Sequence, residues 1–208
     1  MNHRSRTCFQ DLVGFDCKEA GSLRPRLAGV DEAGRGALAG PVVAAAVICE
    51  PHEQLSRVTD SKLLTEPVRE ELYELIVRRS RTVGVGTVGP EEIDRLNILA
   101  ATLEAMAQAI DALDPPPGFV LVDGRHLPKK NVPMRAVTGG DRRSFSVAAA
   151  SIVAKVTRDR IMRKRAEEFG GYGFGSNKGY GTRQHIEAIR QMGRTSIHRR
   201  SFKVSSLL

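Results

Sequence analysis

Four acidic residues stand where a chain could use them for chemistry. Asp31 and Glu32 end one short apolar run, Asp123 ends another, and Asp141 sits in a Gly-Gly-Asp turn. Carboxylates gathered in one place repel unless cations neutralise them, and ligands made only of oxygen select hard ions such as Mg2+ or Mn2+. Two such ions about 4 Å apart can activate a water and stabilise the leaving oxygen of an in-line phosphodiester displacement. Taken singly, each acid is also ordinary turn or cap chemistry, and only their joint placement points to a metal site. Asp31 and Glu32 pose a stereochemical question, because neighbours on a regular strand point to opposite faces. Either the backbone bends at Ala33 and Gly34, or one of the two acids contributes differently, for example through its backbone carbonyl. Gly34, Arg35 and Gly36 follow at once. Glycines let a backbone approach a ligand closely and Arg pairs with phosphate, but no Gly-Lys-Ser/Thr follows, so this is not a Walker A loop.

The elements that must position these residues are legible as patterns. Residues 27–31 form a short strand and 41–49 an Ala/Val-rich one, with glycines between them that suit a hairpin. Thr65 caps a helix whose buried face holds Val68, Leu72, Leu75 and Ile76. Residues 82–88 alternate as a strand. Pro90 and Glu91 open one long helix, with Ile93, Leu96, Leu99, Leu103, Met106 and Ile110 near helical spacing, which Pro115, Pro116 and Pro117 stop. A buried strand at 119–123 and a weaker one at 133–137 follow. Residues 144–168 read as one helix, apolar in its first half and basic in its second. A glycine-rich loop spans 170–181, and Thr182 caps a last helix burying Ile186 and Ile189. This order predicts the α/β class: a mixed sheet with helices on its faces. Ligands of open sheets gather outside the carboxyl ends of strands, where Asp31 and Asp123 would meet if their strands are neighbours.

The chain has 208 residues, a formal charge of +8 and a hydrophobic fraction of 41%. A basic balance favours polyanions, because Lys and Arg that neutralise phosphates release condensed counterions, although net charge also serves solubility. Cys8, Cys17 and Cys49 make no CxxC pair and no zinc-type spacing with His, so the simpler reading is a reducing, cytoplasmic setting. No apolar run is long enough to span a bilayer, and no secretory signal is evident. Residues 1–24 show no sustained period and read as a loosely held extension before a single domain at 25–208. The basic run 158–165 reads either as a phosphate-tracking face or as a solvated helix face. His185 and His198 read as structural.

The segment VDEAGRGALAGPVVAAAV at 30–47 closely resembles the signature of the ribonuclease HII family. So do DSK at 60–62, VDG at 122–124, GDRRSFSVAAASIVAKVTRD at 140–159, KGYGT at 178–182 with His185, and HRRSF at 198–202. The blocks stand in family order across residues 27–202. The resemblance implies a ribonuclease H-like fold: a mixed five-stranded sheet flanked by helices, with a helical C-terminal part. It implies a monomer that uses Mn2+ or Mg2+ to hydrolyse the RNA strand of RNA–DNA hybrids, leaving 5′-phosphate and 3′-hydroxyl ends. It also implies incision 5′ to a lone ribonucleotide in duplex DNA. Position by position, Asp31, Glu32, Asp123 and Asp141 match the metal-binding and catalytic acids. Gly34, Arg35 and Gly36 match the tripeptide that senses the 2′-hydroxyl and its phosphate, Tyr180 the tyrosine that packs on the junction sugar, and Lys62 a basic residue beside the site. Ala37 stands where Pro is frequent, Leu63 where Lys is, and Asn177 where His is common, but no acid is missing. Two competing readings are a basic nucleic-acid-binding protein without turnover and a resolvase-type nuclease acting on DNA alone. The first gains nothing from clustered negative charge, and the second has no use for Gly-Arg-Gly and Tyr180.

Overall fold

The structure, a computed structural model, describes residues 8–203. The first seven residues of the expected extension and the tail 204–208 lie outside the described residues. The strands are β1 (Leu27–Ala33), β2 (Val42–Cys49), β3 (Ser80–Val88), β4 (Phe119–Asp123) and β5 (Met134–Val137). They form one five-stranded sheet in the order β3-β2-β1-β4-β5. The pairs β1–β2 and β2–β3 are antiparallel, whereas β1–β4 and β4–β5 are parallel. The mixed sheet expected from the sequence is the one the chain adopts.

The helices are α1 (Phe9–Ala20), α2 (Glu66–Arg79), α3 (Pro90–Leu96), α4 (Ile98–Asp111), α5 (Phe145–Glu168), α6 (Phe174–Asn177) and α7 (Arg183–Met192). Every residue of β2 is buried because the sheet is covered on both faces. Ala45, Val47 and Cys49 pack with Ile152 and Val156 of α5 and with Leu72 and Ile76 of α2. Ala44, Ala46 and Ile48 pack on the opposite face with Ala105, Met106 and Ala109 of α4. Among the described residues no helix is long and apolar enough to cross a membrane. The three cysteines are free thiols, with Cys49 buried.

The structure differs from the sequence patterns at several places, each with a local cause. The single helix expected from Pro90 is broken at Asn97, whose φ of 74° ends α3 while its Oδ1 accepts from Leu99 N at 3.0 Å and Ala100 N at 3.1 Å to start α4. Thr65 precedes α2 without a side-chain cap bond. The glycine-rich loop contains α6, and α7 buries His185 with Ala188 and Ile189, while Ile186 is only half-buried. The segment before residue 25, expected to be loosely held, carries α1, whose Leu12, Asp16 and Ala20 are buried. Phe9, Leu12 and Val13 pack against the core, but Asp16 interrupts that face and docks through hydrogen bonds.

Candidate active site

Parallel pairing of β1 and β4 brings two of the acids together. Val30 lies opposite Val122, so Asp31 and Asp123 follow side by side at the carboxyl ends of adjacent strands. The β1–β2 register runs unbroken from Gly29 to Ala33, so the backbone does not bend before Gly34, and Asp31 and Glu32 leave β1 on opposite faces. Asp31 is buried, and its Oδ1 accepts from the Glu32 N–H at 2.7 Å. Asp141 is buried in the 3-10 turn Gly140–Arg142, entered through Gly139 in the left-handed conformation. The same turn donates Gly140 N–H to Asp123 Oδ1 at 2.6 Å. Lys62 Nζ stands 3.6 Å from Asp141 Oδ2, its side chain otherwise exposed.

The acids share one electrostatic field. Burial, then the charges of Glu32 and Asp123, push Asp31 well above the ordinary carboxylate value. Burial raises Glu32 as well, with Arg35 offsetting part of the rise and Asp123 adding to it. Burial, Asp60 and Asp123 raise Asp141 against the opposing pull of Lys62 and Arg142. Burial would lower Lys62, but Asp141, Asp60, Asp31 and Asp123 together outweigh it and raise the amine. The donor chemistry fits a hard divalent cation: oxygen ligands whose mutual repulsion a cation relieves. Among the described residues no three His, Cys, Asp or Glu side chains are grouped to hold a metal ion. The oxygens of the acids accept from Glu32 N–H, Arg35 and Gly140 N–H, and Lys62 faces Asp141 as an ion pair.

The glycine-flanked arginine and the tyrosine come from distant parts of the chain and are joined by backbone bonds. Leu38 N–H donates to Gly179 O at 2.8 Å and Ala39 N–H to the same oxygen at 3.2 Å. Two buried arginines, unmarked by the sequence patterns, brace this junction. Arg158 donates to Pro41 O at 2.9 Å, Lys178 O at 2.9 Å and Ala39 O at 3.1 Å. Arg199 donates to Gly40 O at 3.0 Å and Arg35 O at 2.9 Å. The Arg158 guanidinium lies 5.2 Å from the Tyr180 ring centroid and the Lys155 amine 5.7 Å. Arg35 itself is half-exposed, with Nη1 3.3 Å from Glu32 Oε1. Asn177, where the sequence departs from the common pattern, ties Tyr172 O to Gly179 N–H and shapes the turn before Tyr180.

His185 and His198 are buried and face each other, Nε2 to Nε2, at 3.1 Å. His185 Nδ1 meets Tyr180 O at 2.9 Å, so His185 supports the tyrosine's backbone. The basic half of α5 is not a free face. Arg158 is buried, and Arg160 and Arg163 pair with Glu66, Glu70 and Glu74 of α2. Burial of an arginine among carbonyls leaves no mark on a hydrophobic pattern. Only an Arg set in an otherwise apolar helical face, as Arg158 is beside Ala154 and Met162, hints at it.

A sequence profile of the family Ribonuclease HII matches residues 28–205. The chain is 54% identical over 206 residues to Ribonuclease HII of Syntrophus aciditrophicus, covering 99% of this chain and 92% of that one. Its fold superimposes on a chain of the PCNA:RNase HII complex from Archaeoglobus fulgidus with a TM-score of 0.73, at 31% identity over 86% of this chain and 96% of that one. Ribonuclease H2 from Pyrococcus horikoshii gives 0.71 at 32% identity, over 85% and 93% of the two chains.

Proposed function

The chain belongs to the ribonuclease HII family, and from that premise we propose that it hydrolyses the RNA strand of RNA–DNA hybrids and incises 5′ to single ribonucleotides embedded in duplex DNA. The products would carry 5′-phosphate and 3′-hydroxyl ends. The observation that carries the reading is the register that sets Asp31 beside Asp123, with the Asp141 turn fastened to Asp123 through Gly140 N–H. Asp31, Glu32, Asp123 and Asp141 would hold divalent cations, Mn2+ or Mg2+. Bound there, the ions would supply the Lewis acidity that generates a nucleophilic water and steadies the leaving oxygen.

The chain's own residues then divide the work. The carboxylates set where the scissile phosphate rests, and their loss would leave it unanchored. Lys62, raised and exposed beside Asp141, presents a firmly protonated amine to that phosphate. Arg35 can exchange its long contact with Glu32 for a phosphate oxygen. The exposed backbone around Gly36 gives a 2′-hydroxyl close access, the group that separates RNA from DNA. Tyr180, held by Arg158 and by its own turn, offers a ring to the neighbouring sugar. All of these residues come from one chain, so a monomer suffices.

The test is cleavage of an RNA–DNA hybrid by the wild type and by Asp123→Asn, with Mn2+, with Mg2+ and with chelator. Chelator should abolish cleavage. Asp123→Asn should slow it by about a hundredfold or more, the scale on which one preorganised electrostatic contact acts. Wild-type rates in Asp123→Asn, or cleavage that survives chelation, would refute the assignment.

A further inference from the structure

We propose that Asp16, on the N-terminal helix α1, is a positioning residue that fixes the turn carrying Asp141 and the backbone N–H that holds Asp123. The proposal rests on the reading of those acids as the metal-binding site. Asp16 is 2% exposed, and its carboxylate reaches a segment far along the chain. Oδ1 accepts from the Ser144 hydroxyl, while Oδ2 accepts from Ser146 N at 2.8 Å and Ser146 Oγ at 2.7 Å. Ser144 N–H in turn donates to Gly140 O at 2.8 Å, and Gly140 N–H donates to Asp123 Oδ1 at 2.6 Å. A continuous chain of hydrogen bonds therefore runs from Asp16 to Asp123, and Asp141 sits inside it.

This is more than a helix cap. Ser144 already caps α5 by accepting from Val147 N at 3.2 Å, so Asp16 is not needed for that bond. It fixes the side chain of the cap residue and satisfies the next free N–H, a favourable place for a negative charge. The start of α5 also rests on β1 two residues before Asp31. A side chain at Gly29 would stand only 2.0 Å from the Ser146 carbonyl carbon. A shift there disturbs both the Asp141 turn and the strand bearing Asp31. The acids repel one another, so an uncharged brace at their periphery would be free to give way, whereas three charge-assisted bonds resist. α1 is itself anchored by edge-on contact of Phe9 with Phe145 at 5.5 Å and by the Glu19–Arg135 ion pair.

The experiment compares wild type with Asp16→Asn, Ser146→Ala and Glu19→Gln. The last removes the outer ion pair of the same helix but leaves Asp16 in place. Mn2+ binding to the protein alone is followed by isothermal titration calorimetry, with kcat, KM and Tm measured alongside. In Asp16→Asn, Mn2+ affinity and kcat should each fall about tenfold, the low end of the effect of losing a partner that orients ligands. KM for the duplex should stay within about twofold, because the residues placed against substrate are untouched. Ser146→Ala, which keeps the carboxylate and loses one donor, should move Mn2+ affinity in the same direction by less. Glu19→Gln should leave both Mn2+ affinity and kcat unchanged, whatever its effect on Tm. Unchanged Mn2+ affinity in Asp16→Asn overturns the proposal. So does an equal loss in Glu19→Gln, which would reduce α1 to general support. If Asp16→Asn does not fold, unchanged affinity in Ser146→Ala overturns it instead. Asp123→Asn is the control for the premise: if it binds Mn2+ and cuts like wild type, the carboxylate reading fails, not the role of Asp16 alone.

Discussion

Gly34 and Gly36 flank the same arginine but face different surroundings, and substitution separates their roles. Gly34 has a φ of 96°, and a Cβ there would meet Arg158 Nε at 1.9 Å, so Gly34→Ala strains the backbone and displaces a buried guanidinium. It should cost about 2–4 kcal/mol in a denaturation titration, the range for strain joined to a broken buried network. Gly36 meets nothing within 4 Å, so Gly36→Ala should change stability by less than about 0.5 kcal/mol yet slow cleavage at a ribonucleotide. An equal stability loss in both variants would contradict this division. Asp31 gives the opposite trade. Burial and the charges of Glu32 and Asp123 raise its folded-state value. The folded chain therefore holds that proton more tightly than the unfolded one, and stability falls as pH climbs through the interval between the two values. At neutral pH without divalent cations, Asp31→Asn should thus raise Tm while abolishing cleavage, and the gain should vanish in acid below the ordinary Asp value. Added Mn2+ should raise the Tm of wild type and not of the variant. A lower Tm for Asp31→Asn at pH 7 would show that its carboxylate is not under repulsion. Arg158 and Arg199 were the least legible residues. Charged side chains are normally exposed, and only the fold reveals the carbonyls of residues 35–41 that make their burial tolerable.

Two elements depend on polar groups that hydrophobic patterns do not register. The apolar spacing of Ile93, Leu96, Leu99 and Leu103 runs straight across the break between α3 and α4, which is why the pattern predicts one long helix there. Asn97 makes the break by tolerating positive φ and capping α4 with its side chain. Asn97→Ala should cost about 1–2 kcal/mol in urea unfolding, a typical value for a lost cap, and leave cleavage unchanged, the acids lying elsewhere. No measurable loss would mean the cap contributes nothing. The pair His185 and His198 joins α7 to the C-terminal segment through neutral rings: Tyr180 O accepts a hydrogen bond from His185 Nδ1, and Thr195 N–H donates to His198 Nδ1. Burial, then His185 and Arg194, lower His198 to about 4. Above the ordinary histidine value both folded and unfolded states are neutral and the pair makes no pH-dependent contribution. As pH falls from about 6.5 to about 4, the unfolded chain takes up the proton and the folded one does not, withdrawing up to ~3 kcal/mol of stability. Urea titrations at pH 7 and pH 4.5 should show a steeper loss in wild type than in His198→Gln, and equal losses would exclude the pair as the cause.

For the molecule as a whole, the charge of +8 favours polyanions without by itself naming one, and the fold decides which cations are free to meet them. Arg160 and Arg163 are engaged by α2. Arg163→Gln should therefore leave the log–log salt slope of duplex binding unchanged, whereas Lys62→Ala should reduce it by about 0.9, the value of one phosphate contact. The sheet was legible because β2 is an unbroken apolar run and because Asp31 and Asp123 end the runs that pair in parallel. The docking of α1 was not, since Asp16 interrupts the apolar face of Phe9, Leu12 and Val13, and Asp16 and Glu19 supply polar contacts that a hydrophobic pattern does not register. The face assignment of Glu32, left open by the sequence, is set by the uninterrupted β1–β2 register. The proposed function unites these features: Asp31 and Asp123 side by side at adjacent strand ends, with the exposed Gly36 backbone offered to a 2′-hydroxyl. The most direct test uses two DNA duplexes of one sequence, differing only by a single 2′-hydroxyl, incubated with the protein and Mn2+ and resolved to one nucleotide. The expected result is one cut on the 5′ side of the ribonucleotide and an intact all-DNA duplex. Equal cleavage of the two duplexes, or none of either, would contradict the account.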